Sequence, residues 1–148
     1  MKYLLIEFDN EQYWLEIGNE GYALRQIIID IDGHIHISCL EDCLAEGIFD
    51  ENELAGEIRY ILQCEFEKEW NIVTLEERKQ WAILKKQYII GKGVECKVKY
   101  SYPQGWILDA GQSLGICKSD LELYPNELLN GIINGYDEVN MWVLISVE

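Results

Sequence analysis

The chain has 148 residues, 49% of them hydrophobic, with five Trp, nine Tyr and three Phe, enough to bury a core in one ordinary domain or two small ones. Only two prolines are present and no low-complexity run occurs, which excludes a disordered chain. Twenty-seven acidic residues face twelve basic ones, a net charge of −15; so acidic a surface repels phosphate backbones and attracts basic partners.

The charge is uneven. Residues 1–57 hold 14 Asp and Glu against Lys2 and Arg25 alone, a formal −12, whereas residues 91–148 carry only −4. Solubility alone accounts for many acidic chains, so the charge informs association and not fold. No apolar stretch approaches the ~18 residues of a membrane span. The opening apolar run stops at Glu7, too early for a signal peptide, so the expected location is the cytoplasm, with no membrane partner. The five cysteines, Cys39, Cys43, Cys64, Cys96 and Cys117, form no CxxC pair and are expected to be reduced and mostly buried.

The expected fold class is α+β, mostly β. Residues 2–8 and 12–17 read as strands about a turn at Asp9-Asn10-Glu11, with Tyr13, Leu15 and Ile17 alternating against Gln12, Trp14 and Glu16. Residues 22–31 are apolar and β-branched, and Asp32-Gly33 is a strong hairpin signal. A two-residue turn there would pair Ile31 near His34 and bring residues 34–38 back as the partner strand. Asp50-Glu51-Asn52-Glu53 has the spacing of a helix capping box. Residues 54–66 fit either a short helix on Leu54, Ile58 and Ile61 or a strand alternating Ile58, Tyr60, Leu62, Cys64 and Phe66.

Thr74-Leu75-Glu76-Glu77 is a clearer capping box, predicting a helix to about Lys86 with Leu75, Trp81 and Leu84 buried and lysines at its end. Beyond it come short strands between glycines: 94–100, 106–108, 114–117, 128–134 and 141–147, the last two joined across residues 135–138. Five strands in about sixty residues suit a small Greek-key barrel that closes its own edges. Alternation points Val94, Val98, Ile107, Ile116, Ile132 and Val143 inward. The expected organisation is an acidic antiparallel α+β module over 1–72, a connecting helix over 73–87 and a barrel over 88–148.

The order of features in the last part is Gly93, Val94 through Val98, Gly105, Trp106-Ile107-Leu108-Asp109-Ala110-Gly111, Gly115-Ile116-Cys117 and Leu128 through Val147. It resembles the S-one-type RNA-binding OB domain. That resemblance implies a five-stranded OB-fold barrel and an RNA- or ribosome-associated role. The family's stacking aromatics would fall near Gln104 and at Ile107, and its histidine near Lys118, so the chain departs from the pattern there. Lys97, Lys99, Tyr102, Trp106 and Lys118 remain as a candidate RNA face, with aromatics offered for base stacking. Four lysines in the barrel supply few phosphate contacts, so RNA binding is expected to be weak at best.

In the first part, Tyr22-Ala23-Leu24-Arg25-Gln26-Ile27, Asp32-Gly33, Cys43-Leu44-Ala45-Glu46-Gly47 and Glu65-Phe66-Glu67-Lys68-Glu69-Trp70 resemble small bacterial immunity proteins of polymorphic toxin systems. That family combines a Gly-Tyr-x-x-Arg strand, a tight turn, an acidic loop and a late Glu-Phe-Glu helix ending in Trp. The resemblance implies a non-enzymatic protein that captures and neutralises a toxin. The charge fits, because a basic partner would meet an opposite potential. The expected partner-binding acids are Asp30, Asp32, Glu41, Asp42, Glu46, Asp50, Glu51 and Glu53.

For chemistry, His34, His36, Cys39 and Cys43 are the best metal candidates, since the two histidines share a strand face and zinc accepts both residue types. Their spacing matches no zinc ribbon or finger, and the expectation is an exposed strand face beside buried cysteines, with no metal and no other cofactor bound. A metal-dependent or cysteine enzyme is the weakest of the three readings. No GxGxxG or P-loop pattern occurs, and Gly91-Lys92-Gly93 is too short to cradle phosphate. Arg25, alone in its acidic surroundings, is expected to ion-pair with Asp30, Glu20 or Glu41.

Overall fold

The computed structural model describes residues 1–120 and 122–147; Leu121 and Glu148, both inside the expected barrel range, lie outside the described residues. The protein is mostly β and divides into two compact units, Met1–Leu75 and Glu76–Glu148. No helix among the described residues is long and apolar enough to cross a membrane.

The first unit is an antiparallel sheet in the order β4-β3-β2-β1-β5, from β1 (Lys2–Phe8), β2 (Glu11–Ile17), β3 (Ala23–Ile29), β4 (Ile35–Ile37) and β5 (Glu57–Tyr60). Asp9 and Asn10 both take positive φ, 52° and 65°, which gives a two-residue turn pairing Phe8 with Glu11. The β3–β4 hairpin turns at Gly33 as expected, but its register is one residue off. Ile29 pairs with Ile35, so Ile31-Asp32-Gly33 form a three-residue loop, and Ile31 does not face His34. The cause is Asp30. Its Oδ1 accepts from the N–H groups of Asp32 (3.0 Å) and His34 (2.9 Å), and that local turn adds a residue to the loop.

Between β4 and β5 the chain crosses from one sheet edge to the other. Asp50 caps a single 3₁₀ turn, Glu51–Glu53, with its side chain accepting from the Asn52 N–H. The capping signal there thus opens one turn and no longer helix. Residues 54–66 divide between both sequence readings: alternation holds through β5, and helix α1 (Gln63–Val73) follows at once. Helix α1 buries Phe66 and Trp70 and packs on β1 and β2.

Helix α2 (Leu75–Leu84) buries Trp81. Leu84 is half-buried, and Leu75, expected inside, is 53% exposed. Thr74 ends α1, its hydroxyl donating to the Trp70 carbonyl at 2.6 Å. The helix stops before Lys85. That lysine instead reaches Glu138 at 2.9 Å, where the Trp81 indole N–H also donates, at 2.8 Å.

The second unit closes a five-stranded barrel from β6 (Gly93–Tyr102), β7 (Gly105–Asp109), β8 (Leu114–Cys117), β9 (Leu128–Asp137) and β10 (Trp142–Val147). Around the barrel the order is β6-β7-β8-β10-β9 and back to β6, with β8 and β10 parallel and the other pairs antiparallel. This is an OB-like topology. Gly115 and Gly131 make room for Ile145, whose side chain would lie 2.5 and 2.4 Å from a Cβ at those positions. Val98, Ile107, Ile116 and Val143 are buried and Val94 is half-buried. Ile132 is 49% exposed, and Ile133 at 3% is buried in its stead. Two adjacent isoleucines hide their parity, and Gly131, facing Ile145, is what sets it. Strand β9 also outlasts its expected end. It runs to Asp137, whose Oδ1 accepts from the Val139 and Asn140 N–H groups to hold the turn.

Candidate functional site

Three arrangements in the first unit concentrate charge. The innermost is built on Arg25. Cross-strand register lines up Tyr3, Glu16 and Arg25 on one face of β1, β2 and β3, under α1. The Arg25 guanidinium donates to both Glu16 oxygens, from Nε at 2.9 Å and Nη2 at 2.8 Å. It also pairs with Glu67 of α1, through Nη1 at 3.2 Å and through Nη2. Its Cζ lies 4.9 Å from the Phe66 ring centroid and 5.0 Å from that of Trp70. Arg25 is only 4% exposed and Glu16 only 6%.

Burial alone would lower the Arg25 pKa, but hydrogen bonds to Glu16 and Glu67 outweigh it and hold the group charged. Tyr3 donates to Glu16 at 3.0 Å, and burial followed by that bond raises its phenol pKa. Arg25 is therefore in a structural ion pair, though with Glu16 and Glu67 in place of Asp30, Glu20 or Glu41. Removing one partner of a buried pair costs roughly 3–5 kcal/mol, so this cluster fastens α1 to the sheet. Sequence periodicity set Glu16 opposite Leu15 and Ile17; in the structure all three are buried.

The second arrangement is the tip of the β3–β4 hairpin. His36 bridges Asp30 and Glu41, with Nε2 3.0 Å from Asp30 Oδ2 and Nδ1 3.0 Å from Glu41 Oε1. Those two hydrogen bonds raise the His36 pKa, and the one from His36 lowers that of Asp30. His34 Nδ1 lies 3.6 Å from the same Asp30 oxygen. Cys39 is buried, and the Cys43 thiol is pushed up to about 12 by burial, with Glu41 and Asp42 adding to it. The four residues read from the sequence as a metal set are not gathered as one: among the described residues, the group placed closely enough is Asp30, Asp32 and His34.

The third is the segment from Ser38 to Gly56. It leaves β4 and is anchored to β3 by Gln26, whose side-chain oxygen accepts from the Ala45 N–H at 2.7 Å. Glu41, Asp42, Glu46, Asp50, Glu51 and Glu53 are all exposed on it, and Asp32 is exposed on the neighbouring hairpin tip. Asp30 is the exception, half-buried and committed to its turn and to His36. Glu51 accepts from the Tyr60 hydroxyl at 2.6 Å. No Lys or Arg occurs between Arg25 and Arg59. Residues 1–75 hold 17 acidic against four basic groups, a formal −13, and one of the four is the buried Arg25.

In the second unit, Lys97, Lys99 and Lys118 are exposed and Trp106 is half-buried. Lys97 sits opposite Asp109 in the ladder. Tyr102, read from the sequence as a stacking surface, is 9% exposed, with its ring 5.1 Å from Tyr100 and 6.1 Å from Trp142. The barrel thus keeps its lysines outside and takes this tyrosine into its packing.

No protein-family model matches the chain, and no curated protein is significantly similar to it.

Proposed function

We propose that this chain is a non-enzymatic binding protein that captures a basic protein on its acidic N-terminal unit, in the manner of immunity proteins that neutralise bacterial toxins. One observation carries the reading. The hairpin tip and the Ser38–Gly56 segment present seven exposed acids, Asp32, Glu41, Asp42, Glu46, Asp50, Glu51 and Glu53, with no Lys or Arg among them. Of the two flanking cations, Arg25 is buried between two glutamates and offers no outward charge, and Arg59 follows on β5, beyond the segment. A field of one sign speeds encounter with an oppositely charged partner and repels nucleic acid.

Reversing Glu41, Asp42, Glu46 and Glu51 to Lys is expected to slow association more than it speeds dissociation, since rim charges act chiefly on the on-rate. The reading fails if the reversed protein still retains the same partner at ~150 mM salt, where screening acts beyond about 8 Å.

An RNA-binding role is the second reading, supported by the OB-like strand order and by Lys97 and Lys99 on one side of β6. Few exposed lysines and the buried Tyr102 weigh against tight binding. Micromolar RNA binding at physiological salt, lost in K97E/K99E, would promote it.

A further inference from the structure

We infer that the outward face of α1 docks an apolar, Lys- or Arg-bearing segment of the basic partner, whose cation comes to rest on Glu67. This docking role rests on the capture reading proposed above. Cys64, Lys68 and Ile72 recur every fourth residue, on the face of α1 opposite the buried Phe66 and Trp70. With Leu62 before the helix and Leu75 after it, they line an open depression of about 1000 Å³ that Glu67 borders. Leu62, Ile72 and Leu75 are each more than half exposed. Apolar side chains gathered in water along one helix face suit a second chain laid against them.

Charge decides what lies there. Glu16 and Glu67 set two carboxylates against the single guanidinium of Arg25, a formal −1. Arg25 and Glu16 are buried, so the excess reaches solvent at Glu67, whose side chain is 35% exposed. Glu16 accepts from Nε and Nη2 of Arg25 and from the Tyr3 hydroxyl. Glu67 accepts from Nη1 and Nη2 of Arg25, which fills two of the about four lone-pair positions of a carboxylate. The guanidinium fork therefore fixes how this carboxylate points and leaves it free to accept from a second cation.

A partner Lys or Arg meets both demands of the surface. Its aliphatic stem lies along Leu62, Ile72 and Leu75 while its charged head reaches Glu67. Lys68 is the one cation of α1 against Glu65, Glu67 and Glu69, so the helix as a whole stays acidic. A second copy of this chain does not fit, because it would bring −15 against −15.

Cys64 reports occupancy of this face, since it is exposed while Cys39, Cys96 and Cys117 are buried and the half-buried Cys43 thiol is pushed up to about 12. The reduced full chain is alkylated with iodoacetamide at ~150 mM salt, and each cysteine is followed by mass spectrometry. A synthetic amphipathic peptide of Leu and Lys at helical spacing, at ~100 μM, should slow Cys64 alkylation at least ~10-fold, as a Kd of about 10 μM requires. The same peptide with Glu for Lys should not. Ile72→Lys/Leu75→Lys, at two exposed positions, should abolish protection with an unchanged circular dichroism spectrum. Docking on α1 is overturned by no protection from the Lys peptide, by equal protection from the Glu peptide, by protection that persists in Ile72→Lys/Leu75→Lys, or by a dimer of the chain that itself shields Cys64. A basic protein that co-purifies through Glu41, Asp42, Glu46 and Glu51 yet leaves Cys64 reactive would also overturn it while keeping the capture reading. Peptide protection with no basic protein retained would instead sink the capture reading and keep the α1 face as a site for basic amphipathic segments.

Discussion

Met1–Leu75 and Glu76–Glu148 are mostly β chains of nearly equal length, yet they secure their strands in opposite ways. The second unit closes its sheet on itself, so that hydrogen bonds run around the barrel and interlocked small and large side chains, such as Gly115 and Gly131 against Ile145, fill it. The first unit leaves its sheet open at β4 and β5 and lays α1 on one face. There the closest interlock is ionic: Arg25 between Glu16 and Glu67, between strand and helix. The charge follows the same division. Residues 1–75 carry −13 and residues 76–148 only −2. An open sheet with a long connecting segment can display loops to a partner, while a closed barrel spends its residues on packing.

The sharpest way to break this comparison is Arg25→Ala. It leaves Glu16 buried and uncompensated, and is expected to cost about 3–5 kcal/mol. Denaturant unfolding followed by fluorescence should show the loss in the transition of the first unit, with the barrel transition unmoved. A loss below ~1 kcal/mol would mean that apolar packing of Phe66 and Trp70 holds α1 without the ion pair.

The barrel answers to volume instead. Gly131→Ala drives a methyl into Ile145 and is expected to cost about 1–3 kcal/mol. Adding Ile145→Ala, which removes the Cγ2 that the methyl would meet, should cost less in the double variant than the sum of the two single changes in a double-mutant cycle. Strict additivity of the two changes would contradict the interlock.

The smallest expected effect is a pH dependence at Glu138. Hydrogen bonds from Lys85 and then Trp81 hold its carboxyl below the usual range. The contribution is therefore fully present above the unfolded carboxylate pKa of about 4.3 and is lost as pH falls through the lowered folded value. The side chain is 57% exposed, so solvent screening limits the effect to about 0.5 kcal/mol or less. Glu138→Gln should flatten stability against pH between about 5 and 3, measured by thermal unfolding. An unchanged slope would detach this pair from the barrel.

How much the sequence disclosed follows the same divide. The barrel was legible because each strand alternates between glycine breaks, and four of its six expected inward residues are buried. Ile132 failed because its neighbour Ile133 is equally apolar, and only the cross-strand contact of Gly131 with Ile145 decides between them. In the first unit the β1–β2 turn was legible from Asp9-Asn10-Glu11, although Glu11 already belongs to β2. The β3–β4 register was not, since the Asp30 side chain, outside the turn dipeptide, adds the extra residue. Helix α1 was hidden because Cys64 and Phe66 continue the alternation of β5 by coincidence; its outline came from the Glu-Phe-Glu resemblance alone. The partners of Arg25 lie nine and 42 residues away in sequence, beyond any local pattern. The acids on the Ser38–Gly56 segment, by contrast, could be counted directly, since exposure is the default for charge.

The central claim is that the acidic unit seeks a basic protein and the barrel does not seek RNA. Its most direct test is native co-purification of the full chain at ~150 mM salt, with protein and nucleic acid both identified in the retained fraction. The expected result is a basic protein that survives RNase treatment and disappears when Glu41, Asp42, Glu46 and Glu51 are reversed to Lys. Retained RNA that survives this reversal and is lost in K97E/K99E would contradict the account.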